Sequence, residues 1–271
     1  ARTLHTVCEE ARCPNIGECW HRRTATFLVL GNVCTRHCAY CAIVHGLPTE
    51  LDLEEPERIA QAVAAMDLRH AVITSVNRDD LKDGGAGVYA ALIRRIHETS
   101  PDCTVEVLIP DFKGDAEALR AVLEASPEIL AHNIESVPRV FQVVRHGGDY
   151  GRTLTLLRRA KEWGYTSFTK SGIILGMGET WGELLATMDD LRAVDCDILT
   201  VGQYLRPGPD YHPIDRYYTP HEFAELRRIG LEMGFKYVES GPLVRSSYRA
   251  DIQAAEVRAF RARIGWASAS A

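Results

Sequence analysis

Six of the eight cysteines fall within residues 8–41 as two trios: Cys8, Cys13 and Cys19 at C-x4-C-x5-C, and Cys34, Cys38 and Cys41 at C-x3-C-x2-C. A chain of 271 residues can fold on its own hydrophobic core, so such crowding points to metal ligation in a reducing compartment rather than to disulfide staples. A structural zinc site and a closed iron–sulfur site each take four ligands, so each trio is one ligand short. For the first trio alone, C-x4-C is also within zinc-ligand spacing. Three thiolates on one loop can hold three irons of a 4Fe-4S cluster and leave the fourth iron open to an outside ligand.

The elements that must position these thiols are legible as an alternation. Candidate strands at 25–33, 70–76, 104–110, 128–136, 167–176 and 197–205 are separated by helical patterns at the spacing of βα units. Tyr89, Leu92, Ile93 and Ile96, and Phe223, Leu226, Ile229 and Met233, recur at helical intervals. Thr180 with Glu183, and Thr219 with Pro220 and Glu222, predict capped helix starts. Six parallel strands with crossovers predict an α/β fold: an incomplete (β/α)6 TIM-like barrel, open on one side, with N-terminal and C-terminal extensions. The division is 1–23 for the N-terminal segment, 24–235 for the core and 236–271 for a C-terminal extension, which holds a short strand "KYVE" and a helix near 251–263. The second cysteine trio then begins where the first strand should end, and barrels of this kind carry their chemistry at the C-terminal ends of the strands.

With Tyr40 just before its last cysteine, "CTRHCAYC" resembles the radical S-adenosylmethionine superfamily. "GIILGMGE" fits that family's G-x-I-x-G-x-x-E pattern through Gly172, Ile174, Gly176 and Glu179. Where the superfamily often carries Gly-Gly-Glu after the second strand, this chain has "TSVNRDD". That departure, together with "PDFKG", "HNIESVPR", "GQYLRP", "VRSSYRAD" and the N-terminal trio, resembles the lipoyl synthase family over nearly the whole chain.

The resemblance implies two 4Fe-4S clusters and S-adenosyl-L-methionine as cofactors. Cys34, Cys38 and Cys41 would hold the cluster that cleaves S-adenosylmethionine. Tyr40, Thr74, Ser75, Asn77, Asn133, Gly172, Ile174, Gly176, Glu179 and Gln203 would form the cofactor pocket. Cys8, Cys13 and Cys19 would hold an auxiliary, sulfur-donating cluster, closed by a serine of "RSSY", with Ser247 preferred over Ser246. The implied reaction inserts two sulfurs, at carbons six and eight of an octanoyl-lysine. The octanoylated lipoyl carrier would be a lipoyl domain of a 2-oxoacid dehydrogenase or the glycine cleavage H protein. The electron donor would be a ferredoxin or flavodoxin. Other radical sulfur-inserting enzymes, of the biotin synthase or methylthiotransferase kind, and a two-cluster electron carrier are the alternatives. A general base finds no acidic proton on an unactivated C–H bond, which is why radical chemistry is needed.

A net charge of −6 with no run of like charges argues against nucleic acid as a partner. The longest apolar run, "FLVL", is far short of a membrane span. The expected compartment is the cytoplasm, or an organellar matrix where a leader has been removed. Cys103 and Cys196 are expected to be core residues at the N-terminal ends of strands. His37 is expected outside the ligand set, and Arg36, Asn77, Arg78, Asp79 and Lys170 in loops at the active face.

Overall fold

The structure, a computed structural model, describes residues 5–6, 13, 15–48, 51–165 and 167–263. Cys8 lies outside the described residues. After β1 (His5–Thr6) and α1 (Ile16–His21) come β2 (Thr24–Val29), β3 (Val33–Cys34) and β4 (Val44–His45). Then α2 (Glu55–Ala65), β5 (His70–Ser75), α3 (Ala86–Thr99), β6 (Thr104–Leu108), α4 (Ala116–Glu124) and β7 (Ile129–Ala131) alternate. They are followed by α5 (Pro138–Val144), α6 (Tyr150–Glu162), β8 (Phe168–Leu175), α7 (Trp181–Ala193), β9 (Ile198–Gln203), α8 (Pro220–Glu232), β10 (Tyr237–Gly241) and α9 (Ala250–Arg263).

The main sheet runs β1-β2-β5-β6-β7-β8-β9-β10. β1 is antiparallel to β2, and the other seven strands are parallel. The six expected core strands are all present, and "KYVE" becomes a seventh parallel strand: Tyr237 to Gly241 pair with Ile198 to Gly202. The boundary expected at 235/236 therefore falls between a helix and a strand of the same sheet. The capping boxes at Thr180 and Thr219 form as predicted, each threonine accepting from the backbone N–H of the glutamate three residues on.

Two strands end earlier than their apolar runs suggest. β2 stops at Val29 because Leu30 (φ 67°) and Gly31 (φ 83°) turn in the left-handed region, with Leu30 N bonded to Glu55 Oε2 at 2.8 Å. The loop of the second cysteine trio thus starts from β3, one turn beyond the first barrel strand. β7 stops at Ala131, and Glu135 (φ 67°) turns the chain while a lone bridge to Ile173 keeps it beside β8.

Alternation along paired strands gives the sheet two unlike faces. Phe27, Val29, Ile73, Val105, Val107, Leu130, Leu175 and Val201 pack with the helices in the large core. In register on the other face lie Thr24, His70, Thr104, Glu106, Lys170 and Thr200, which line a polar lumen. Lys170 is therefore in a strand, not in a loop: its ammonium is fully buried and meets Glu106 Oε1 at 2.8 Å. At one end of the lumen Ile129, Phe168 and Ile198, each the first residue of its strand, pack against Ala254 of α9. The terminal helix thereby covers the N-terminal mouth. Cys103 and Cys196 are buried near strand starts, as expected.

Candidate active site

The loop 34–41 is tied to the strand ends at every side. Cys34 Sγ accepts from the backbone N–H of Arg36 at 3.4 Å and of Asn77 at 3.3 Å. Thr35 N donates to Asn77 O at 3.0 Å, and Asp79 N donates to Thr35 Oγ1 at 3.0 Å. Buried Arg36 forks onto Asp79, at 2.7 and 2.9 Å, and reaches Asp111 at 2.6 Å. One guanidinium thus joins the loop to segments following β5 and β6. Arg152 meets the second oxygen of Asp111 at 2.8 Å. Burial alone would raise the Asp111 carboxyl, but the two arginines outweigh it and hold the acid well below its ordinary range. On the far side Ala39 N donates to Val144 O, and His212 N to Ala39 O, both at 2.8 Å.

Within this frame the three cysteines are half-buried. Burial pushes the Cys41 thiol up to about 11 and raises that of Cys38. Uncharged sulfurs are therefore favoured until a cation takes the proton's place. Among the described residues no three His, Cys, Asp or Glu side chains converge closely enough for a single metal ion. Ligands of a cluster are each on a different iron, so such convergence is not what that chemistry requires. His37 is exposed and stacks on His45 at 3.9 Å between ring centroids.

The strand ends around the loop hold two buried acceptors, Asn77 Oδ1 and Asn133 Oδ1, without hydrogen-bond partners. Buried polar atoms are rarely left unpaired, so these fit a polar ligand lying between them. Gly172 faces the same space: a Cβ there would come within 2.9 Å of Asn133 Oδ1 and 2.8 Å of Thr200 Oγ1. Gly176 takes φ 101°, and a Cβ would overlap the Gln203 amide. Ile174 pairs with Gly202 between these two glycines.

Other expected pocket residues are occupied with the protein itself. Glu179 accepts from Gly176 N at 2.6 Å and Met177 N at 3.0 Å, which folds the glycine loop back on itself. The Gln203 amide donates to Leu175 O, Tyr204 O and Arg216 O and accepts from Tyr218 N. Both side chains shape the pocket through these bonds. Thr74 Oγ1 donates to Leu108 O at 3.1 Å, and Ser75 is half-buried beside it. Tyr40 is held protonated by burial, next to Cys38 and Cys41.

Two groups at this face escaped the sequence reading. Burial raises the Glu135 carboxyl above its ordinary value, with Arg145 opposing. Glu135 in turn acts electrostatically on Tyr40, Cys38 and Cys41. Arg145, at the end of α5, donates to Asn133 O. The carboxylate in "HNIES" was the available signal for the first; nothing local marked the second.

The two ends of the chain meet. Asn15 Nδ2 donates to Leu243 O at 2.8 Å, Tyr248 and Arg249 bond Glu18 at 3.0 and 3.3 Å, and Arg22 meets Asp251 at 2.7 Å. Gly202 has no room for a Cβ against Val244 O, so this segment crosses directly over the end of β9. "RSSY" is thereby brought to the stretch that carries Cys13 and Cys19, with both cysteines and Ser246 and Ser247 half-buried.

Comparison with known proteins agrees with this geometry. The sequence model of the Radical SAM superfamily matches residues 28–191. The chain is 60% identical over 256 residues to a lipoyl synthase of Rubrobacter xylanophilus, covering 94% of this chain and 80% of that one. It is 57% identical over 251 residues to the lipoyl synthase of Koribacter versatilis, covering 93% and 83%. Among solved structures, methylornithine synthase superposes with a TM-score of 0.60 at 14% identity, covering 94% of this chain and 88% of that one. SuiB of Streptococcus suis bound to S-adenosylmethionine superposes with 0.61 at 12% identity, covering 87% and 56%. At these identities the two structures bear on the fold alone.

Proposed function

Since the chain belongs to the lipoyl synthases of the radical SAM superfamily, we propose a site-by-site assignment of that family's sulfur-insertion chemistry to its residues. The family's enzymes insert two sulfurs, at carbons six and eight of a protein-bound octanoyl chain. Its 4Fe-4S cluster and S-adenosylmethionine, when bound, supply the 5'-deoxyadenosyl radical that removes hydrogen from an unactivated carbon.

Cys34, Cys38 and Cys41 hold that cluster through three thiolates, so one iron stays available to S-adenosylmethionine. Arg36 keeps the loop fixed through Asp79 and Asp111. Asn77 and Asn133 offer acceptors to the cofactor's polar groups, and Gly172 and Gly176 let it approach the backbone. Glu135, whose carboxyl burial raises above its ordinary value, adds a polar group to the same face. The single observation that carries the reading is a half-buried three-thiol loop at strand ends that hold two buried, unpartnered amide oxygens.

A second 4Fe-4S cluster, consumed as sulfur source, is assigned to Cys8, Cys13, Cys19 and Ser247. What supports it is the clamp between residues 15–22 and 243–251, which brings Ser247 to the stretch that carries Cys13 and Cys19. The carrier is a lipoyl domain of a 2-oxoacid dehydrogenase or the glycine cleavage H protein, and a ferredoxin or flavodoxin delivers electrons. No helix among the described residues is long and apolar enough to cross a membrane. The cytoplasm is the proposed compartment.

The test is incubation of the iron-loaded chain with reductant, S-adenosylmethionine and an octanoyl-lysine peptide. Formation of 5'-deoxyadenosine together with the lipoyl peptide is the expected result. 5'-Deoxyadenosine made over an unchanged octanoyl peptide contradicts the substrate assignment. Adding dethiobiotin or tRNA in place of the peptide separates the other sulfur-inserting chemistries.

A further inference from the structure

The lumen side of β8 carries Ile174, Gly172 and Lys170 in descending order, and that of β6 carries Leu108 and Glu106. Exposure falls steeply down this face. Ile174 and Leu108, near the C-terminal ends of their strands, are half-buried and Gly172 is buried, while the side chains of Lys170 and Glu106 are 0% and 1% exposed. The lumen is thus open toward the cysteine loop and closed at the Glu106–Lys170 pair, about 13 Å of strand below Ile174.

The closure is firmly held. Lys170 Nζ meets Glu106 Oε1 at 2.8 Å across β7, whose two neighbours carry the pair. His70 Nε2 stands 3.6 Å from Glu106 Oε2, and its Nδ1 is 2.8 Å from Thr104 Oγ1. Beneath them Ile129, Phe168 and Ile198 pack on Ala254. Parting a buried ion pair leaves two desolvated charges alone, which costs more than one or two buried methylenes return.

What lies above the pair decides its use. The next layer holds Asn133, Gly172 and Thr200, and a Cβ on Gly172 would meet both of the others. Asn133 and Gly172 belong to the proposed cofactor pocket, and a carbon that loses hydrogen to that cofactor must come within about 3–3.5 Å of the radical. The acyl chain is tethered to a carrier outside the barrel. Its free end therefore points inward, over the pair.

We propose that Glu106 and Lys170 form the floor of the acyl channel and are the specificity-determining residues that stop the chain at eight carbons. This rests on the proposed octanoyl substrate. The methyl end of an octanoyl chain reaches the pair; a longer chain is pushed back toward its carrier, which lifts carbons six and eight away from the cofactor.

The test gives the iron-loaded chain octanoyl-lysine and decanoyl-lysine peptides and measures sulfur-bearing product from each. Glu106→Ala combined with Lys170→Ala removes both charges together and deepens the lumen, and is expected to raise the decanoyl-to-octanoyl product ratio about 10-fold or more. A ratio equal to that of the unaltered chain overturns the floor. A second measurement needs no variant to fold: an octanoyl-lysine peptide with a diazirine at its terminal carbon is photolysed on the unaltered chain, and the adduct is located by mass spectrometry. Attachment within β6, β7 or β8 is expected, and attachment only outside these strands places the tail elsewhere and overturns the proposal. An unaltered chain that turns over no octanoyl peptide defeats the substrate reading itself, and the proposal falls with it.

Discussion

At the residue scale, the proposed ligands were readable because their chemistry is written in side-chain type and spacing: six cysteines in two trios need no fold to be seen. Asn133 was readable from its motif as well. Glu135 and Arg145 were not, because their place depends on the left-handed turn at residue 135 and on where α5 ends, and neither leaves a local pattern. His132, in the same motif, yields a pH prediction. Its Nδ1 donates to Ile109 O at 2.8 Å, and burial first, then Arg145, push the imidazole down to about 3 from an ordinary 6.5. The unfolded chain takes up a proton below 6.5 that the folded chain refuses, so stability falls as pH drops from about 6.5 to 3, by at most ~1.4 kcal/mol per unit. Urea unfolding at pH 7 and pH 5 should show the loss, and His132→Asn should flatten this limb. An equal slope in the variant assigns the pH dependence to other groups. Asp111 adds a loss of the same sign only in stronger acid, because its folded-state value is depressed.

At the scale of elements, the six core strands and the capped helices followed from apolar periodicity and Thr-x-x-Glu starts. The polar lumen did not, because Glu106 and Lys170 sit in strands that otherwise read as buried, and only register brings them together across β7. Burial pushes the Glu106 carboxyl up, but Lys170 and His70 outweigh it and hold the acid below its ordinary value. Lys170→Met alone leaves the buried Glu106 carboxylate without its ammonium, with only His70 beside it, and should cost about 3–5 kcal/mol. Lys170→Met with Glu106→Leu should recover most of that, and additive losses in the double-mutant cycle would show the pair to be uncoupled. The glycine loop after β8 makes a second case. Gly176→Ala puts a side chain at φ 101° against the Gln203 amide, so a loss of roughly 1–3 kcal/mol and weaker S-adenosylmethionine binding are expected together. Unchanged affinity by calorimetry would place the cofactor elsewhere.

At the scale of the whole molecule, the last segment connects what the sequence keeps over two hundred residues apart. β10 extends the sheet, α9 covers the N-terminal mouth of the lumen, and the stretch between them crosses β9 to meet α1. The C-terminal extension was foreseen as an appendage, but its strand belongs to the barrel, since a five-residue register cannot be read from "KYVE" alone. Arg22→Ala removes the pair with Asp251, a half-exposed contact of about 0.2–1 kcal/mol. Faster amide exchange in 243–251 with little change in global stability is expected, and unaltered exchange there would mean that the pair does not hold the two ends together. The central claim is that this chain gives up its own cluster sulfur through the joint so formed. The most direct measurement is a single turnover of chain reconstituted with heavy-isotope sulfide, using octanoyl-lysine peptide in unlabelled buffer, with the product weighed by mass spectrometry. A lipoyl peptide carrying heavy sulfur at both positions is the predicted result; a lipoyl peptide of ordinary mass would contradict the account.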